Sequence, residues 1–249
     1  MAQRPLFIPS LDSTALVQTI HVEFQWFPGL AVSQKQKSVD SLHVAACTIS
    51  GISRVLEVSS KSRDPLGVAL SAFNLSFTTV KYGRTLSVEC AFQGSKVFER
   101  GGPYSDILSM GSREAKKDDR LKSSGRLIGF RFFGSDWGLE PQTAFYDWLY
   151  INALKKKPDL VERLLDYSAF TDIEFNPERS INCQAYSVAL FASLYKRGML
   201  HEATATKEAF LSTVSNATIS NARQDETIQQ GLGLNNKPAS VQPTNGLES

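Results

Sequence analysis

Glu89, Gln93 and Lys96 place an acid, an amide and an amine at spacings of four and three residues within Ser87 to Phe98, SVECAFQGSKVF. If that segment is one helix, the three fall on a single face. Val88, Ala91, Phe92 and Phe98 then occupy much of the remainder. A carboxylate can accept a proton or stabilise developing positive charge, and an amine of lowered pKa is a nucleophile. The stripe begins beside a helix N-terminus, where free N–H groups and the helix dipole receive a phosphate or carboxylate. Helical side chains tilt N-terminally, which leans the lysine toward the glutamate. A solvated polar face is the bland reading of the same pattern, and spacing alone does not separate the two.

Hydropathy patterning gives the elements that must position these groups. His21 to Phe27 alternates apolar and polar residues and reads as a strand stopped by Pro28 and Gly29. A helix capped by Ser33 follows, and then a strand, Arg54 to Val58. SREAKKDDRLK, with Ser112 as N-cap, reads as a charged surface helix, and Leu127 to Phe133 as a strand. Pro141 suits the first turn of a helix reaching Leu154 that is apolar almost all round, hence buried. The chain continues with a helix in PDLVERLLDY, a short strand in FTDIEF and a last strong helix ending at Gly198. Strands and helices mix without a regular βαβ rhythm, which predicts an α+β fold, mostly helical, with a small β-sheet.

The 249 residues are 42% hydrophobic and 21% charged, the balance of a globular protein with a real core. A net charge of +2 advertises no polyanionic partner. Cys47, Cys90 and Cys183 are widely spaced and odd in number, which excludes a disulfide framework and a zinc ribbon. With three histidines no metal constellation is visible, and no cofactor is expected. No apolar run approaches a membrane span, so a cytoplasmic protein without membrane contact is expected. Beyond Phe210 there are no aromatic residues. The division expected is a catalytic domain of residues 1–200 and a polar, disordered tail of 201–249.

Ser87 to Lys96 resembles the Thr/Ser-x-Glu-His-x-x-Gln-x-x-Lys helix of the NADAR (YbiA-like) family, with Cys90 in place of the histidine. Ser60-Lys61-Ser62, Gly67 and Leu70-Ser71-Ala72-Phe73-Asn74 resemble its opening turn and Leu-Ser-Asn-Phe motif. Trp137 is placed like the tryptophan before its long buried helix. Thr171-Asp172 and Ser180-Ile181-Asn182 are similar to its closing segment. The fuller wording, including LEVSSKS and GGPYSDIL, is most similar to the NADAR antitoxins paired with DarT-type DNA ADP-ribosyltransferase toxins.

That resemblance implies a YbiA-like fold and an N-glycosidase that removes ADP-ribose from guanine bases in DNA. The expected partners are ADP-ribosylated DNA, or an ADP-ribose-containing nucleotide, and a cognate toxin. Hydrolysis of riboflavin-pathway intermediates, or binding of ADP-ribose or toxin without cleavage, are the alternatives. Breaking a ribosyl–nitrogen bond requires stabilisation or capture of the anomeric carbon and protonation of the departing base. Glu89 is the expected carboxylate, with Lys61 or Lys96 as the amine that engages the opened ribose. Ser60, Ser71, Asn74, Gln93, Trp137, Asp172 and Asn182 are the expected substrate-binding residues. Trp137 reads equally as a base-stacking platform or as core, Asn182 as a ligand or as a plain helix start, and Asp172 as a ligand or as a partner of Arg179. The runs Lys116 to Arg120 and Lys155 to Lys157 read as surface charge, available to a DNA backbone.

Overall fold

A computed structural model describes residues 1–11, 14–80, 82–177 and 180–216. The chain opens with β1 (Ala2–Pro9) and β2 (Val17–Phe24), an antiparallel pair in register from Ala2 opposite Phe24 to Pro9 opposite Val17. Then come α1 (Val32–Ala46), β3 (Val55–Glu57), α2 (Pro65–Ala69) and the hairpin β4 (Ser76–Thr78) and β5 (Thr85–Ser87). The central stretch is α3 (Val88–Gly94), β6 (Lys96–Phe98), a 3-10 turn at Ser105–Ser109, α4 (Ser112–Lys117) and α5 (Arg120–Ser123). β7 (Leu127–Phe132), β8 (Ser135–Trp137), α6 (Ala144–Leu154), α7 (Pro158–Leu164) and β9 (Ala169–Thr171) follow. Helices α8 (Gln184–Lys196), α9 (Leu200–Ala203) and α10 (Lys207–Asn216) come last among the described residues. The architecture is α+β, with helices predominating over small sheets.

The main sheet has the order β2-β1-β9-β3, with β9 parallel to β3 and antiparallel to β1. Alternation along its strands sends neighbours to opposite faces. Leu6, Val22, Phe24 and Ala169 pack with Val39 and Leu42 of α1, whereas Phe7, Val17 and Phe170 join the larger core with Val188 and Phe191 of α8. Helix α6 is buried except at Trp148 and Asn152, as its all-round hydropathy predicts. Its Tyr150 hydroxyl donates to the Leu70 carbonyl, tying α6 to the chain that follows α2. Gly67 lets α2 approach β3 closely, since a Cβ there would stand 1.9 Å from the Glu57 carbonyl oxygen and 2.4 Å from the Ser62 hydroxyl.

Several expected elements differ in detail. β1 carries Pro5 and Pro9, which punctuate a strand pattern in sequence; in the fold β9 meets β1 only at Phe7, so neither proline interrupts that pairing. Helix α1 begins after Ala31, and no Ser33 side chain caps it. The segment from Ser87 to Phe98 is not one helix. Ser87 caps α3 by accepting from the Cys90 amide at 3.1 Å, α3 stops at Gly94, and Lys96 opens strand β6 paired with β7. Ser112 is not an N-cap but the first residue of α4. Its hydroxyl donates toward the Phe73 carbonyl at 2.9 Å and the Ser87 hydroxyl at 2.8 Å, joining three segments. Past residue 200, α9 and α10 pack onto the domain, with Ala203 and Phe210 inside the main core. The described part of the expected tail is therefore structured, and residues 217–249 of it lie outside the described residues.

Candidate functional site

The close of β3 delivers the turn Ser59-Ser60-Lys61, α3 delivers Glu89 and Gln93, and β6 delivers Lys96. The loop after β9 delivers Asp172 and Glu174, and the approach to α8 delivers Asn182 and Gln184. These side chains line one cleft of about 570 Å³, together with Phe73, Phe92, Tyr146, Arg113 and Lys116. Glu89, Gln93, Asp172 and Tyr146 are buried, Lys61 and Lys96 are half-buried, and Arg113, Lys116 and Glu174 are exposed.

The acid, amide and amine of the sequence pattern do share a cavity, although Lys96 reaches it from a strand. Gln93 donates its amide to Glu89 Oε1 at 2.9 Å, and its own Oε1 is buried with no hydrogen-bond partner. Lys96 Nζ lies 4.7 Å from the centre of the Phe92 ring. Burial lowers its pKa to about 8, an effect opposed by Glu89 and reinforced by Lys116. Lys61 Nζ donates to the Ser60 hydroxyl at 3.3 Å. Burial, and secondarily Glu89, holds the Tyr146 phenol well above its usual pKa of 10, so it stays protonated.

Beneath the turn lies a group that sequence reasoning missed. Glu57, fully buried in β3, accepts the Ser59 hydroxyl at 2.6 Å and the Ile173 amide at 2.9 Å on Oε1, and the Thr171 hydroxyl at 2.8 Å on Oε2. The Ser59 hydroxyl in turn accepts the Lys61 amide at 3.1 Å. Burial first, and Asp172 second, raise the Glu57 carboxyl well above the carboxylate range. Burial likewise raises Asp172, against hydrogen bonds from the Glu174 amide and Gln184. Gln184 also accepts the Ala72 amide at 2.7 Å, linking the start of α8 to the floor. His43, kept neutral by burial that lowers its pKa to about 4, lies 2.9 Å from the Thr171 hydroxyl.

Of the ten residues singled out from sequence, Ser60, Lys61, Glu89, Gln93, Lys96, Asp172 and Asn182 line the cleft, and Ser71, Asn74 and Trp137 do not. The Ser71 hydroxyl is buried without a partner. Asn74 is exposed and donates its amide to the Val68 carbonyl at 2.8 Å, in a separate hollow. Trp137, at the end of β8, pairs with Phe130 of β7, and its ring packs against Phe145 and Trp148 in the aromatic core. Asp172 and Asn182 sit in loops beyond β9 and before α8, not on a strand and a helix start; Arg179, the alternative partner of Asp172, lies outside the described residues.

Arg113 and Lys116 were read as surface charge, yet they border the cleft from α4 because Ala115, between them, anchors that helix in a small core with Cys90 and Ile107. Cys90 is explained by the same packing, its thiol donating to the Met110 carbonyl at 3.1 Å. One signal for Glu57 was available: a lone acid in the apolar run VLEV.

Among the described residues, no group of three or more His, Cys, Asp or Glu side chains converges as for a metal ion. No helix among them is long and apolar enough to cross a membrane. The fold and cleft define an α+β domain with a nucleotide-sized polar site that sets a buried carboxylate and a half-buried amine beneath a basic rim. The family described as the DarT1-associated NADAR antitoxin matches residues 2–224, and the chain belongs to it. Comparison with curated proteins finds no significant match.

Proposed function

We propose that this protein is an ADP-ribosyl hydrolase that cleaves the N-glycosidic bond between ADP-ribose and guanine in DNA, and so counteracts a DNA ADP-ribosyltransferase toxin. The observation that carries the proposal is the meeting of Glu89 and the depressed-pKa Lys96 in one cleft. Membership of an antitoxin family favours this reaction over hydrolysis of riboflavin-pathway intermediates.

The net reaction adds water across the bond, placing hydroxyl on the anomeric carbon and a proton on the base. At neutral pH a fraction of Lys96 is the free amine, and it attacks the anomeric carbon while the guanine nitrogen departs with a proton. Glu89 accepts the proton lost by the attacking amine and passes it to the leaving base. The ribosyl-lysine opens to an imine, the ring oxygen leaving as a hydroxyl, and water hydrolyses the imine to restore Lys96 and release ADP-ribose. Gln93, with an unpartnered oxygen, accepts from a ribose hydroxyl, while Ser60, Asp172 and Asn182 hold the remainder of the nucleotide. Arg113 and Lys116 meet the diphosphate at the rim.

Incubation of the protein with an oligonucleotide carrying one ADP-ribosylated guanine, followed by mass spectrometry, should yield unmodified oligonucleotide and free ADP-ribose. Binding of ADP-ribose with no product would reduce the protein to a non-catalytic binding module.

A further inference from the structure

On the other side of Lys96 lies a second chamber of about 280 Å³, which shares Phe92, Lys96, Tyr146, Ile181 and Asn182 with the first as lining residues. Its walls differ in chemistry from those of the first. Phe130, Phe145 and Leu139 line it, and among the described residues Lys96 is its one cation and Glu140 its one carboxylate. Among the described residues the first chamber adds Lys61, Arg113 and Lys116.

We infer that this apolar chamber is the receptor for the purine base from which ADP-ribose is removed. The inference rests on the reading of the polar chamber as the ADP-ribose site. A diphosphate belongs where Lys61, Arg113 and Lys116 gather, and the second chamber offers it Lys96 with Glu140 nearby instead. With the anomeric carbon beside Glu89 and Lys96, the group attached to that carbon faces the other way, across Lys96. A nucleobase is planar, apolar on its faces and polar at its edge. Aromatic walls suit the faces, and a carboxylate and an amide in the lining, Glu140 and Asn182, suit the N–H groups and carbonyl of a guanine edge. Enzymes that act on a base extrude it from the helix into such a pocket. Leu139 and Ile181, both in the lining, are half-exposed, so this chamber lies within reach of a base arriving from solvent.

Leu139 is 41% exposed, so replacing it fills the chamber without disturbing the core. The test compares Leu139→Trp with its parent, both carrying Glu89→Gln to suppress turnover, by calorimetry with two probes: ADP-ribose, and guanosine ADP-ribosylated on its base. The expected result is a loss of at least about tenfold in affinity for the modified guanosine, with ADP-ribose affinity changed less than about twofold. Equal losses for both probes would put part of ADP-ribose itself in the chamber, and no loss for either would leave the base elsewhere; each overturns the inference. Failure of the parent to bind ADP-ribose at all would overturn the reading of the polar chamber together with it. Selective loss in a protein that proves unable to cleave would sustain the base receptor while refuting the hydrolase.

Discussion

Thr171 Oγ1 lies 2.8 Å from Glu57 Oε2 and 2.9 Å from His43 Nε2, so a hydroxyl at the end of β9 joins the buried acid of β3 to an imidazole of α1. The same carboxyl holds Ser59, which fixes the backbone of Lys61, and the Ile173 amide beside Asp172. One side chain without access to solvent thus sets two walls of the cleft. A hydrogen-bonded chain of this kind also tolerates either direction of donation, since neutral His43 can give or take a proton at Nε2.

Glu57 makes stability depend on pH. A carboxyl whose pKa rises on folding holds its proton more tightly in the folded chain. Its contribution is full below the ordinary value of 4.5 and is lost as pH rises through the raised one. Glu57→Gln keeps the acceptor for Ser59 and Ile173, donates to Thr171 and carries no charge. Between about pH 5 and about pH 9 the melting temperature of the parent should fall more steeply than that of the variant. Parallel curves would show that no buried charge forms at Glu57.

Glu89→Gln preserves an acceptor for the Gln93 amide, so thermal melting should change little. Cleavage of the modified oligonucleotide should slow by about 10²–10⁴-fold. Full turnover would remove Glu89 from the proton transfers.

In the proposed reaction only the neutral form of Lys96 attacks, and burial lowers its pKa to about 8. The single-turnover rate should climb as pH rises through about 8 and then level. Borohydride added during turnover should leave one ADP-ribosyl adduct, mapped by peptide sequencing to Lys96 and absent from Lys96→Arg. Trapping at Lys61 instead would reassign the amine to the turn.

Arg113→Ala combined with Lys116→Ala should weaken ADP-ribose binding about tenfold or more and flatten its dependence on salt. Both side chains are exposed, so melting should not move by more than about 2 °C. Unchanged affinity would place the diphosphate elsewhere.

Gly67→Ala drives a methyl into the Glu57 carbonyl and the Ser62 hydroxyl. A backbone neighbour cannot swing aside, and the expected cost is about 3 kcal/mol or more, read as a lower midpoint in urea.

The apolar periodicities that fold α6 and α8 are dense enough to be read from sequence, and so was the burial of α6. The grouping of Glu89 with Lys96 was legible for a partly mistaken reason. A Glu-Gln-Lys stripe suggests one helix, whereas Gly94 ends α3 and the register of β6 against β7 turns Lys96 inward. Arg113 and Lys116 were hidden because a run such as KKDDR carries no periodic trace of the cavity beside it. The ring of Trp137 was placed by its motif order, but strand pairing with Phe130 commits it to Phe145 and Trp148. Glu57 depends on three contacts more than a hundred residues away or two residues along, and only the long-range partners reveal why a charge-bearing residue sits in VLEV.

Phe210 has no exposed surface and shares a core with Phe7, so opposite ends of the described chain interlock. A nascent or clipped polypeptide stopping at residue 200 lacks the plug for that socket, and its aromatic interior stays open to water. Closure of that core therefore waits until α10, far along the described chain, has emerged and docked.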